Sequence, residues 1–228
     1  MVTKKSVTLL IDTASILVMA IFDSNKKCLF CYKGDSSFAD GINLLLEETL
    51  TNNSLSYGDI KTLVVDTGPG SFTGLRTGLA YAQGLCFPSK IPIYTFNSYE
   101  PLLPLKEEAG NCRVIIPARR NHYYTISNEQ ALQDKSQIKI WTTDQILDEA
   151  ENDTTLIVPE AYLDKSPFIS VYKKLMGFPE AYNEESVLHM AMSQDSIESK
   201  DLKPDYIQLP AADAKKDGRY TLDNSGKP

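Results

Sequence analysis

Between residues 68 and 85 the chain reads Gly-Pro-Gly-Ser-Phe-Thr-Gly-Leu-Arg-Thr-Gly-Leu-Ala-Tyr-Ala-Gln-Gly-Leu. It follows an apolar, buried-type run from Thr62 to Asp66, so it leads out of a strand. Gly68, Pro69 and Gly70 make a tight turn there. Ser71 or Thr73 then caps a helix from about Phe72 to Cys86. A strand that turns this sharply into a helix belongs to a layered α/β fold. The first turn of such a helix carries backbone N–H groups at its positive end and can seat an anion. A glycine-rich turn before a helix is also, and more commonly, a packing device. It is not a Walker loop, because Gly74 follows Gly70 too closely and Leu75-Arg76 stand where Lys and Ser or Thr are needed.

Gly74, Gly78 and Ala82 recur every four residues, so one stripe of the helix has almost no side chain and another backbone can approach it closely. Each helical glycine costs about 1 kcal/mol relative to alanine. The stripe therefore serves close packing, either inside its own domain or against a helix of another subunit.

The elements before and after this segment fix the fold class. Ser6 to Ile11, Ile16 to Phe22 and Lys27 to Tyr32 read as three strands joined by short turns. Phe38 to Leu50 reads as a helix, entered through Asp35, Ser36 or Ser37, with Ile42, Leu45, Leu46, Thr49 and Leu50 at helical spacing. The helix at Phe72 is followed by a strand at Ile93 to Phe96. Three strands, helix, strand, helix, strand is the order of half an actin-like ATPase domain, the ribonuclease-H-like fold. In that fold the turn Asp12-Thr13-Ala14-Ser15 stands where the enzymes set an acidic residue and hydroxyls against metal and phosphate. Asp12 and Ser15 equally suit plain turn hydrogen bonds.

A composition change at Pro101 and Pro104 divides the chain into a first lobe, 1–99, and a less regular second lobe, 100–212. In the second, Cys112 to Ile116, Tyr123 to Ser127, Gln137 to Trp141 and Thr155 to Val158 read as strands. Asp144 to Ala150 and Glu184 to Ser196 read as helices capped by Thr143 and Asn183. Tyr206 to Leu209 reads as a last strand, and 213–228 as a flexible tail.

Charge and composition narrow the function. A net charge of −7 supplies no basic footprint for nucleic acid, so any RNA contact runs through a partner. Arg113, Arg119 and Arg120 read as a solvated charged loop. The twelve tyrosines and Trp141 have no stacking-platform spacing and read as core and strand residues. Four cysteines, irregularly spaced, do not make a disulfide framework, which suits a reducing compartment. Cys28 and Cys31 lie on a strand whose positions three apart point to opposite faces, so they read as structural thiols. With only His122 and His189 as nitrogen ligands, no metal site is expected. Lys4 and Lys5 precede an apolar stretch, but Asp12 interrupts it, and no run reaches membrane-spanning length. A soluble, cytoplasmic chain is expected.

Leu10-Ile11-Asp12-Thr13-Ala14-Ser15, the Gly68 to Leu85 segment, and Ala118-Arg119 with Tyr123-Tyr124 together resemble the TsaB (YeaZ) family of tRNA threonylcarbamoyladenosine biosynthesis proteins. The resemblance spans roughly residues 7 to 125, and Lys203-Pro204-Asp205-Tyr206 through Leu209 is similar to the family's closing strand. The chain departs from the family pattern at Phe38-Ala39 and at Pro117. The resemblance implies two ribonuclease-H-like lobes, an inactive relative of the TsaD catalytic subunit, and no catalytic residue. It implies no cofactor, ATP being used by partner subunits. It also implies pairing with TsaD through the helices of the first lobe, with the small ATPase subunit TsaE joining the complex. The reaction is threonylcarbamoylation of the adenosine beside the tRNA anticodon, with tRNA contacted only indirectly. On this reading Ile42, Leu45, Leu46, Gly74, Arg76, Thr77, Gly78, Tyr81 and Ala82 form the partner face. Asp12, Thr13, Ser15, Gly68, Gly70 and Ser71 form a vestigial nucleotide-site turn. The competing reading is an ATP-binding actin-like enzyme acting on its own, resting on Asp12 and the Gly68 to Ser71 turn. Homodimerisation through the same stripe is a further expectation when the partner is absent.

Overall fold

The computed structural model describes residues 5–34, 41–87, 90–102, 111–118, 121–127, 138–149, 154–158, 168, 174–178, 182–205 and 207. Strands β1 (Val7–Asp12), β2 (Leu17–Phe22) and β3 (Cys28–Gly34) open the chain, followed by helix α1 (Ile42–Asn52). Strand β4 (Ile60–Asp66), helix α2 (Phe72–Cys86) and strand β5 (Ile93–Phe96) complete the first lobe. The second lobe holds β6 (Cys112–Pro117), β7 (His122–Ser127), β8 (Lys139–Thr142), helix α3 (Thr143–Asp148), β9 (Thr155–Val158), β10 (Lys174–Gly177) and helix α4 (Glu184–Ala191).

Each lobe is built on one five-stranded sheet, ordered β3-β2-β1-β4-β5 and β8-β7-β6-β9-β10. In both, the first three strands pair antiparallel as a meander, and the remaining two add in parallel beside the meander's first strand. The second sheet therefore repeats the first, and the molecule is a pair of ribonuclease-H-like lobes.

Burial follows from the strand sequences. All of β2, Leu-Val-Met-Ala-Ile-Phe, is buried, the continuous apolar run expected of a strand covered on both faces. On one face Leu9, Ile11, Met19, Ile21, Leu63 and Val65 pack beneath Leu46 and Leu50 of α1 and Leu79 and Ala82 of α2. On the other, Leu10, Val18, Phe22 and Val64 join one core with Val114, Ile116, Tyr124 and Ile157 of the second sheet and Val187, Leu188 and Ala191 of α4. The lobes thus share apolar packing and are not beads on a linker.

Several expectations shift. The expected start of α1 at Phe38 and its cap at residues 35–37 lie outside the described residues, and α1 is described from Ile42. Helix α2 is capped by Ser71, whose Oγ accepts from the Gly74 N–H at 3.1 Å. Helix α3 is capped one residue early, by Thr142, in a reciprocal capping box with Gln145, and α4 ends at Ala191 rather than Ser196. Strand β10 has too few apolar residues for its pattern to stand out. After α4 the chain returns to the first lobe: Ile197 exchanges backbone hydrogen bonds with Ile93, and Asp205 N–H donates to the Thr67 carbonyl at 2.7 Å. Leu202 is buried in the core under α1 and α2. Packing between residues 197 and 205 therefore belongs to the first lobe, not to the second as the boundary at 212 implied. Of the expected closing strand only Ile207 is described, in a bend.

Cys28 and Cys31 also correct their reading. The β2–β3 register slips between Ile21↔Phe30 and Phe22↔Cys28, leaving Leu29 as the extra residue of a bulge. Both thiols consequently face the shared core. Burial first, and then the Glu184 charge, push the Cys31 thiol up to about 12, so it stays protonated and unreactive. The structural-thiol reading stands, on different ground. Among the described residues no helix is long and apolar enough to cross a membrane.

Candidate functional site

The C-terminal ends of β1 and β4 bring two carboxylates together. Ile11 lies beside Val65 in the parallel register, so Asp12 and Asp66, one residue on, are neighbours. Both are 3% exposed. Asp12 Oδ1 accepts from the Ala14 N–H at 2.9 Å; Asp66 Oδ1 accepts from the Gly68 N–H at 2.7 Å, and its Oδ2 from the Ser98 hydroxyl at 2.7 Å. Burial, and after it the Asp12 charge, hold Asp66 well above the usual carboxylate range. Burial also raises Asp12, against hydrogen bonds that favour its ionised form. Both acids are thus held above the ordinary carboxylate range, Asp66 the further of the two. Asp66 was not among the residues the sequence singled out. Its signal was available: an acid ending a buried-type strand directly before the glycine turn, as Asp12 ends β1.

The Asp12 to Ser15 turn and the Gly68 to Ser71 turn pack against each other, and three of their neighbouring backbone donors point to protein acceptors. Ser71 N–H donates to the Ala14 carbonyl at 2.7 Å, Gly74 N–H goes to Ser71 Oγ, and Gly68 N–H to Asp66. Three backbone donors of this turn are thus spent on protein acceptors. Gly70 lies so close to Ala14 that a Cβ would come within 2.6 Å of its carbonyl oxygen. Thr13 fills the groove of α2: its hydroxyl donates to the Gly74 carbonyl at 2.8 Å. A Cβ on Gly74 would meet the Thr13 carbonyl, and one on Gly78 the Thr13 hydroxyl. Ser15 Oγ is buried without a partner.

This geometry corrects five of the nine residues of the expected partner face. Gly74, Gly78 and Ala82 are buried against their own lobe, and Ile42 and Leu46 are core residues, so none of the five is open to a partner. The small-residue stripe was the internal packing device. Leu45 and Tyr81 are half-buried and pack on that core, Thr77 is partly exposed and Arg76 exposed.

A second small-residue line runs down the outward side of α2: Thr73, Thr77, Ala80 and Gly84, with open space at Gly84. Large apolar side chains are exposed on and next to these two helices: Phe72 at 40%, Leu44 of α1 at 60% and Phe87, directly after α2, at 87%. The Arg76 guanidinium lies 4.8 Å from the centre of the Phe72 ring. Tyr81 Oη donates to Asn43 Oδ1 at 3.2 Å, which ties α2 to α1. Leu44, Phe72 and Phe87 went unnoticed because they fall outside the inward periodicity on which the core reading rests.

The remaining candidates lie elsewhere. Arg113 is on strand β6, with its guanidinium 4.5 Å from the Trp141 ring centre, rather than in a solvated loop; Arg119 and Arg120 lie outside the described residues. His122 opens β7 and His189 lies on α4, both exposed. Pro117 ends β6 opposite Tyr123, and Phe38-Ala39 lie outside the described residues.

Two repeated ribonuclease-H-like lobes, with acids ending neighbouring strands before a glycine-rich turn, define an actin-like ATPase-superfamily fold. Comparison with known proteins specifies it further. A family model described as "TsaD: tRNA N6-adenosine threonylcarbamoyltransferase" matches residues 35–180. The chain is 26% identical to the tRNA threonylcarbamoyladenosine biosynthesis protein TsaB of Haemophilus influenzae over 183 residues, 72% of this chain and 77% of that protein. To TsaB of Bacillus subtilis it is 28% identical over 179 residues, 73% of this chain and 77% of that one. Among solved structures, YeaZ from Pseudomonas aeruginosa superposes with a TM-score of 0.65 at 15% identity, covering 89% of this chain and 100% of that one. The chain belongs to the TsaD family, in its TsaB (YeaZ) branch.

Proposed function

We propose that this chain is a non-catalytic subunit in tRNA threonylcarbamoyladenosine biosynthesis, which binds a TsaD-type catalytic subunit through the outward face of α1 and α2 and holds it in working form. The observation that carries the reading is the inward-turned donors at the start of α2: Ser71, Gly74 and Gly68 N–H are all spent on protein acceptors. A site that seats phosphates needs such groups free. The role in tRNA modification follows the relatives' names. The net charge of −7 favours tRNA contact through the partner. ATP would be used by the other subunits, TsaE among them, and the four free thiols suit a cytoplasmic setting.

On this reading the partner covers Leu44, Phe72, Arg76, Thr77, Ala80 and Phe87, an apolar patch with a charged member and a shallow small-residue floor. Ala80→Glu and Thr77→Trp both enlarge side chains on that outward side. Each is expected to weaken binding of the TsaD-type subunit about tenfold or more, roughly 1.4 kcal/mol, with an unchanged melting temperature. Undiminished affinity in both variants would put the interface elsewhere. Calorimetry of the chain alone with magnesium-ATP is expected to give no binding heat at millimolar ligand, whereas saturable heat would favour the independent ATP-binding enzyme.

A further inference from the structure

We propose that Asp12 and Asp66 share a single proton in the folded protein and that this proton keeps the cleft between the two lobes shut, with Tyr182 of the second lobe closing over the pair. The two acids end adjacent parallel strands of the first lobe and are almost wholly buried. Three of their oxygens already accept bonds from Ala14, Gly68 and Ser98. Among the described residues, the groups acting most strongly on the pair include no cation. Two ionised carboxylates side by side in an apolar cleft repel each other without compensation, so the pair retains one proton.

What covers the pair comes from the other lobe. Tyr182, directly before α4, is 3% exposed; its hydroxyl lies within the electrostatic reach of Asp12 and Asp66 but makes no hydrogen bond of regular geometry. The segment is fastened from β3: Lys33 Nζ donates to the Tyr182 carbonyl at 2.7 Å, pairs with Glu184 at 2.7 Å and lies 5.7 Å from the Tyr182 ring centre. The Lys33 charge is thus matched by Glu184 and is not spent on the acids. Cys31, also on β3, faces Tyr182 as a neutral thiol. When the shared proton leaves, the least costly relief is to admit water between the acids, which lifts Tyr182 and the start of α4 away from the first lobe.

Infrared spectroscopy reads the proton directly. Folded wild-type protein at neutral pH is expected to show the C=O stretch of one protonated carboxyl per chain, lost as the pH rises and lost in Asp66→Asn. Amide exchange across residues 182–188, corrected for the intrinsic effect of pH, is expected to accelerate over the same pH range. Absence of the protonated-carboxyl band in wild type at neutral pH overturns the proposal. So does a band that survives in folded Asp66→Asn, or exchange that stays constant while the band disappears. If Asp66→Asn does not fold, the wild-type spectrum and exchange decide alone.

Discussion

At the scale of single residues, the account turns on Thr13, Gly78 and the two acids. Gly78→Leu forces a side chain into the Thr13 hydroxyl and is expected to cost about 1–3 kcal/mol by overpacking. Thermal unfolding checks this: a folded variant with wild-type melting temperature would contradict the inward placement of the stripe. Asp66→Asn tests the carboxyl pair through stability. Because the native pair binds its proton more tightly than the unfolded chain, its stabilising contribution is complete below the ordinary carboxylate range. It is lost as pH rises through the raised native value. Wild-type stability should therefore fall on the alkaline side, and the asparagine variant, which donates without a titrating proton, should flatten that slope in denaturant titrations at several pH values. Identical slopes would show that Asp66 is ionised in the native state. The Asp12 turn was readable from sequence because turn residues announce themselves locally. Asp66 carried a local signal too, at the end of its strand, but its meeting with Asp12 and Tyr182 was not readable, because that depends on strand register and on the second lobe folding back.

At the scale of elements, α2 shows what pattern can and cannot supply. Its length was readable, and of the two caps the sequence offers, Ser71 and Thr73, the structure uses Ser71. Ser71→Ala removes the acceptor of the Gly74 N–H and is expected to cost about 1 kcal/mol, measurable as a lowered denaturation midpoint; an unchanged midpoint would show that another group caps the helix. Which of its two small-residue lines faces inward was not readable. Gly74-Gly78-Ala82 and Thr73-Thr77-Ala80-Gly84 both suit close approach, and only the position of Thr13 decides between them. Strand β3 fails similarly: alternation assigns Cys28 and Cys31 to opposite faces, and the bulge at Leu29, invisible in composition, puts them on one. Helix α3 was displaced by a single residue because Thr142 and Thr143 are equally good caps, and the reciprocal bond to Gln145 selects the first.

At the scale of the whole molecule, one topology is used twice and the repeats are joined by a shared core running from Leu10 and Val64 to Val114 and Leu188. The first lobe was readable almost element by element, since its strands are predominantly apolar and its turns carry glycine, proline and aspartate. The second was readable in its central strands but not at β10, nor in the return of residues 197–205 to the first lobe, which rests on contacts distant in sequence. In this arrangement the Asp12 to Ser15 turn is packed against the glycine turn and α2, while exposed apolar side chains stand on the outer helical face, and these two features support the proposed supporting role. The most direct test is reconstitution with the TsaD-type and small ATPase subunits of the same source, tRNA, threonine, bicarbonate and ATP, reading modified adenosine by mass spectrometry. Modification that requires this chain, and falls with Ala80→Glu, is the predicted result; full modification in its absence would contradict the account.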